Sequence, residues 1–223
     1  MGTMLVIATS YWTIMTIVIM KSRGEIVSSD SRERMVRSAA SLIRTRGVNA
    51  TSFSEVLADS GTPRGSIYHH FPEGKQQLAD DAIRWTSERV LAHLRAGTAS
   101  TPRDVLTRFI DMWRKVVLDS RGTAGCVVAG VALDTDAGVT GQIDLVRTTF
   151  RSWIALLAEQ LRAVGVPSDR ATSIALTTVA GMEGALILSR AEGNAKPLET
   201  VTEELMRLLP PGVSRPGPSR RRR

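Results

Sequence analysis

The stretch TSFSEVLADSGTPRGSIYHHFPEGK, residues 51–75, decides the fold. Ser52 and Glu55 stand at the spacing where a hydroxyl caps a helix and the carboxylate three residues on returns the bond, so a helix is predicted to start after Ser52. Phe53, Val56 and Leu57 form one apolar patch on it, and Gly61 follows as its stop. Thr62 and Pro63 then read as the cap and first position of a further short helix. Two short helices joined across DSGT make a helix-turn-helix.

On the second of these helices Ile67 and Phe71 share one side at i, i+4, the side that suits packing on Val56 and Leu57. Gly65 and His69 point the other way, Ser66 and Tyr68 flank that outer face, and Arg64 lies in the first turn. Such a helix has the dimensions and donors to enter a DNA major groove. Arg64 can donate two bonds to a guanine edge or pair a phosphate; Gly65 permits close backbone approach; Ser66 is a short, adaptable donor and acceptor. Tyr68 and Lys75 read as phosphate contacts, and Thr51 and Ser52 add hydroxyls beside free backbone N–H groups.

The same residues argue against catalysis. His69 and His70 are adjacent and cannot share a helix face as metal ligands would, and the only other histidine, His93, lies a helix away. Ser66 has no base placed to take its proton. No catalytic residue, no metal and no cofactor is therefore expected. His70, nearer the buried side, reads as a packed histidine.

Around this centre the pattern is helical nearly throughout. Met35, Ala39, Leu42 and Ile43 recur at helical spacing after a cap at Asp30 or Ser31, with Gly47 as the stop. Beyond Lys75, amphipathic segments are predicted at about 77–97, 102–120, 140–164, 168–192 and 198–209, with a shorter apolar segment opened by RGTAGCVVAG. No alternating strand pattern of useful length occurs, so the class is all-α. The organisation read from this is an extension over 1–29, a DNA-binding domain over 30–76, an effector-binding and dimerisation domain over 77–209, and a basic tail over 210–223 that reads as disordered.

Composition adds limits. The formal charge is +7, but five arginines sit in residues 210–223 with no acid, so the rest of the chain carries only +2 and any basic surface has to be local. The lone Cys126 permits no intrachain disulfide and fits a reducing cytosol. Residues 4–20 form 17 uncharged residues followed by Lys21 and Arg23, at the lower edge of membrane-helix length. They lack the charged start and cleavage site of a secretory signal. Three readings stay open for them: a translation start assigned upstream of the true one, an anchor that would make the protein a membrane-tethered cytoplasmic regulator, or an accessory arm.

The segment GVNATSFSEVLADSGTPRGSIYHHFPEGKQQL resembles the amino-terminal domain of TetR/AcrR-type transcriptional repressors: a threonine-started helix, a turn, a G-[ST]-[LIF]-Y-x-[HY]-F recognition helix, then a lysine. Ser60 stands where that family usually has alanine. Three residues rather than two separate Phe71 from Lys75, which resembles the LmrA/YxaF branch, as do GTAGCVVAGVALD and VAGMEGALILSRAEGN further on. The resemblance implies a cytoplasmic, nucleoid-associated homodimer that binds a pseudo-palindromic double-stranded DNA operator and releases it when a small lipophilic or aromatic effector enters the carboxyl-terminal domain. It places Thr51, Ser52, Arg64, Gly65, Ser66, Tyr68, His69 and Lys75 at DNA-contacting positions, and helices 175–191 and 198–209 in an intersubunit four-helix bundle, with Gly181, Gly184, Ala185 and Leu188 at the contact. The large apolar residues Trp85, Phe109, Met112, Trp113, Phe150, Trp153 and Met182 suit an effector lining, with Glu183 as an orienting group; at helical spacing they suit an ordinary core equally.

Overall fold

A computed structural model describes residues 30–134 and 140–210. The reading of residues 4–20 and most of the basic tail lie outside them. All regular structure among the described residues is helical: α1 over 30–46, α2 Phe53–Ser60, α3 Ser66–His70, α4 Lys75–Arg95, α5 Pro102–Asp119, α6 Val127–Asp134, α7 Thr140–Ala163, α8 Ser168–Glu192 and α9 Lys196–Arg207.

Three short elements form the head. Met35, Ala39 and Ile43 recur on one face of α1 and are buried against Val56, Ile67 and Phe71, while Glu33, Arg37 and Ser41 on the other face stay exposed. Both halves of the capping box at Ser52 and Glu55 are present, and Gly61 ends α2 in the left-handed conformation at φ 63°. The Ser38 hydroxyl donates to Asp59 at 2.6 Å, tying α1 to the end of α2.

The remaining helices form a layered bundle. α8 lies between α7 and α9 and also meets α5; α4 packs on α7 and α6. α5 starts with a second capping box, Thr101 with Asp104, and Pro102 in its first turn. Phe109, Trp113, Trp153, Leu157 and Met182 fill the centre.

Polar contacts join head and bundle. The Gly125 amide donates to the Arg44 carbonyl at 2.7 Å. Asp134, at the end of α6, accepts from the amides of Val48 (2.6 Å) and Asn49 (3.3 Å), in the loop that leads into α2. Gly47 beside it has φ 82°, and a methyl there would collide with the Asp134 carboxylate. Within the bundle, the Gln142 side-chain amide of α7 donates to Asp80 of α4 at 2.9 Å.

Two positions in the bundle are sensitive to substitution or pH. Gly122, with φ 80°, ends the α5 turn, and a Cβ there would stand 2.9 Å from the Ser189 carbonyl oxygen of α8. Glu183 of α8 meets the Cys126 thiol at the start of α6. Burial pushes its carboxyl up to about 7, partly offset by the hydrogen bond from Cys126; the thiol is itself pushed up by burial and by the neighbouring carboxylate.

Gly122→Ala should therefore lower stability by about 1–3 kcal/mol, through left-handed strain and the clash with α8, read as a lower midpoint in urea unfolding. For Glu183 the sign follows from a folded pKa above the ordinary value of 4.5. Its favourable contribution is complete below the unfolded pKa and is lost as pH rises through about 7, because the folded state then holds a proton that the unfolded chain has released. Glu183→Gln should raise stability relative to the parent by about 1–3 kcal/mol at pH 8 and change it little at pH 4, measured by thermal unfolding at both values.

Candidate nucleic-acid interface and effector cavity

The reading surface is built from α2, the turn and α3. α3 has only five residues and is entered through a turn rather than a side-chain cap: Gly65 occupies the N-cap position, and the Ser66 amide and hydroxyl both donate to the Pro63 carbonyl, at 3.1 and 2.6 Å. The start expected at Thr62 and Pro63 is thus displaced. Thr62 is buried, with its hydroxyl 2.7 Å from that of Ser60. Its polar group is satisfied by the turn and not by helix N–H groups.

Ile67 and Phe71 are fully buried, which fixes the orientation of the rest. Tyr68 stands 70 % exposed, its ring edge-on to Phe53 at 5.8 Å. Arg64, Gly65 and His69 are exposed as well, and nothing lies within 4 Å of the place a Cβ would occupy on Gly65. A duplex can therefore approach that backbone closely. His70 turns partly inward, and its pKa is lowered by burial first, then by His69 and Arg32. Arg32 is itself held, with its guanidinium 5.5 Å from the Phe71 ring centroid and 2.5 Å from Asp81.

The other four expected DNA contacts already have partners. Thr51 is buried and its hydroxyl donates to the Gly47 carbonyl at 2.7 Å. Ser52 is committed to Glu55, whose carboxyl is held below its usual range first by the Ser52 backbone N–H, then by the Ser52 hydroxyl, with Arg46 adding attraction. Ser66 is committed to Pro63, and the Lys75 ammonium donates to the Asn49 carbonyl at 2.9 Å. These groups are tied into the turn, with the Lys75 ammonium keeping two further N–H donors, while the side chains of Arg64, Tyr68 and His69 stand exposed. Among the described residues no group of three His, Cys, Asp or Glu side chains could hold a metal.

A cavity of about 350 Å³ lies where α1 meets α4, α5 and the residues leading into α6. Trp85, Met112 and Trp113, three of the residues read as a possible effector lining, are among its walls. The other expected lining residues lie elsewhere. Phe109, Trp153 and Met182 are buried in the core, with the Trp153 indole donating to Ser87 at 3.3 Å, and Phe150 packs edge-on to Trp153. Glu183 lines a separate, smaller cavity of about 190 Å³ with Cys126 and Arg190. Sequence reading passed over Arg37, Ala40, Ser41 and Arg44 of α1 and Arg89 of α4, which complete the larger cavity. An apolar-residue search along the bundle helices misses them because the cavity borrows one wall from the head.

On α8 the expected dimer contacts divide. Ala185 is fully buried within the protomer, and a Cβ on Gly181 would meet Val201 of α9 at 3.3 Å. Gly184 opens onto free space, and Leu176, Ile187 and Leu188 are more than half exposed along the same helix.

Residues 36–82 match the family model described as bacterial regulatory proteins, tetR family, and residues 102–204 that of the transcriptional regulator LmrA/YxaF-like, C-terminal domain. An HTH-type transcriptional regulator of Mycobacterium tuberculosis is 38 % identical over 183 residues, covering 80 % of this chain and 93 % of that protein. The HTH-type transcriptional regulator LmrA of Bacillus subtilis is 26 % identical over 182 residues, covering 81 % and 97 %. Among solved structures, a TetR transcriptional regulator from Legionella pneumophila superimposes with a TM-score of 0.73 at 24 % identity, over 80 % of this chain and 96 % of that one. One from Chloroflexus aurantiacus does so at 0.64 and 28 % identity, over 80 % and 93 %. With a free-faced recognition helix on the expected side of the head, and these likenesses along both parts of the chain, the protein belongs to the TetR family of helix-turn-helix DNA-binding transcriptional regulators, with an LmrA/YxaF-like C-terminal domain.

Proposed function

We propose that the protein is a homodimeric repressor that reads a pseudo-palindromic operator through Arg64, Gly65, Tyr68 and His69 and releases it when a small aromatic effector enters the cavity at the α1–α4–α5 junction. The observation that carries this reading is the composition of that cavity's walls: Arg37, Ala40 and Arg44 come from the head, Trp85 and Arg89 from α4, Met112 and Trp113 from α5. A ligand there touches the reading head and the bundle at once, so its affinity depends on how the two sit together. Unequal affinity for two arrangements is what coupling to DNA requires.

α4 carries the effect in one direction, because it begins at Lys75, beside the recognition helix, and passes the cavity at Trp85 and Arg89. α6 carries it in another, through the bonds from Val48 and Asn49 to Asp134, since the Asn49 carbonyl also receives the Lys75 ammonium. The apolar stripe of Leu176, Ile187 and Leu188 supports pairing of two copies through α8 and α9, which would present two heads to successive major grooves about 34 Å apart, or a longer spacing.

Arg64→Ala should weaken binding to a duplex selected by the full chain from a random pool by about 1–3 kcal/mol and leave binding to unselected DNA nearly unchanged, measured by fluorescence anisotropy. Equal weakening on both would make Arg64 a phosphate contact. Asp134→Ala should speed hydrogen exchange at the Val48 and Asn49 amides by about tenfold or more and weaken operator binding severalfold. Unchanged exchange and unchanged affinity would remove α6 from the coupling.

A further inference from the structure

The cavity that the effector reading rests on has a charge pattern which specifies the ligand more narrowly than "aromatic". Its lining holds three arginines, Arg37, Arg44 and Arg89, and no acidic residue. The contrast along α1 is informative. Arg32 pairs with Asp81, Arg34 with Asp30 and Arg46 with Glu55, all within 3.3 Å. Arg37 and Arg44, two helical turns apart on the cavity face, form no ion pair with any carboxylate among the described residues, and neither does Arg89.

The unsatisfied groups have one sign as well. The Arg44 Nε and the Trp113 Nε1 are both enclosed and lack a hydrogen-bond partner, and both belong to residues lining this cavity. Each is a donor that cannot accept. Leaving buried donors unpaired is unfavourable, and it is more so where the donor is part of a guanidinium. Arg89 lies over the Trp85 ring at 4.8 Å, which keeps its charge close to the apolar floor made by Trp85, Met112 and Trp113.

We infer that the effector is an anionic aromatic amphiphile: a ring system seated on Trp85, Met112 and Trp113, bearing a carboxylate, sulfonate or phosphate that the arginines of α1 and α4 receive. An anion in the cavity neutralises like charges drawn together from two elements, and a lining of donors and cations with no carboxylate offers it no repulsion. It also bridges the head, through Arg37 and Arg44, to α4, through Arg89. The charge of the ligand is thereby read by the helix that positions the recognition element.

The test uses the full chain and two dyes with the same aromatic core, 8-anilinonaphthalene-1-sulfonate, which is anionic, and N-phenyl-1-naphthylamine, which is neutral. Binding is followed by dye fluorescence. The sulfonate is expected to bind about tenfold or more tighter than the neutral dye at low salt, with the preference shrinking as salt is added. Arg37→Gln with Arg44→Gln should weaken the sulfonate about tenfold and shift the neutral dye by less than about twofold, and Arg37→Lys with Arg44→Lys should recover part of the loss. Ser41→Trp, an exposed rim position, should abolish both signals, and circular dichroism confirms that each variant folds. Equal affinity for the two dyes, or equal losses in the arginine variant, would overturn the anion inference and leave the effector site standing. Failure of both dyes to bind, or binding that ignores Ser41→Trp, would overturn the effector site and the inference together.

Discussion

Everything this protein does with DNA depends on the anchoring of a five-residue helix. A helix as short as α3 has almost no stability of its own in water, because nucleation fixes several dihedrals for each hydrogen bond gained. Ile67 and Phe71 supply what the backbone cannot: both are fully buried against Met35, Ala39 and Val56, each burial worth about 1.5–3 kcal/mol. Their spacing also sets the direction of the other residues. With Ile67 and Phe71 inward, Arg64, Tyr68 and His69 have no alternative but to face outward.

The regulatory half is organised around the same head. α1 supplies the floor on which α3 rests and, on its other face, one wall of the cavity proposed to take an effector. In the proposed mechanism that one helix meets both the recognition element and the ligand, so a shift at the cavity would be carried to the reading surface. The backbone bond from Gly125 to Arg44 and the Asp134 clamp on the α1–α2 loop give that helix two further attachments to the bundle. Interfaces of this kind have discrete arrangements rather than a continuous range, which is what lets a small ligand change a binding equilibrium.

Local signals were the legible part of the sequence. The Ser52–Glu55 box, the Gly61 stop, the inward pair Ile67 and Phe71 and the outward Tyr68 all stand where spacing placed them, because each depends on residues within one helical turn. Pro63 misled: it is a good first helical residue, yet the chain here makes a turn closed by Ser66 before the helix begins. The hydroxyls of Thr51 and Ser66 read as available to DNA and are occupied in the fold, since short polar side chains near helix ends find backbone partners first, while that of Ser52 is engaged in the capping box its spacing predicts. The cavity was the least legible feature. Its aromatic residues resemble those of the core at Phe109, Trp153 and Met182, and its arginines lie on segments whose other arginines are ordinary surface ion pairs. Only the third dimension separates Arg44 from Arg46.

In the proposed mechanism one cavity ligand and the operator favour opposite arrangements of the head. Linkage tests it most directly: the operator's dissociation constant is measured with and without saturating 8-anilinonaphthalene-1-sulfonate, and the dye's constant with and without saturating operator. Each should weaken the other, and by the same factor in both directions, as thermodynamic reciprocity demands. Two independent affinities, each unchanged by the presence of the other ligand, would contradict it.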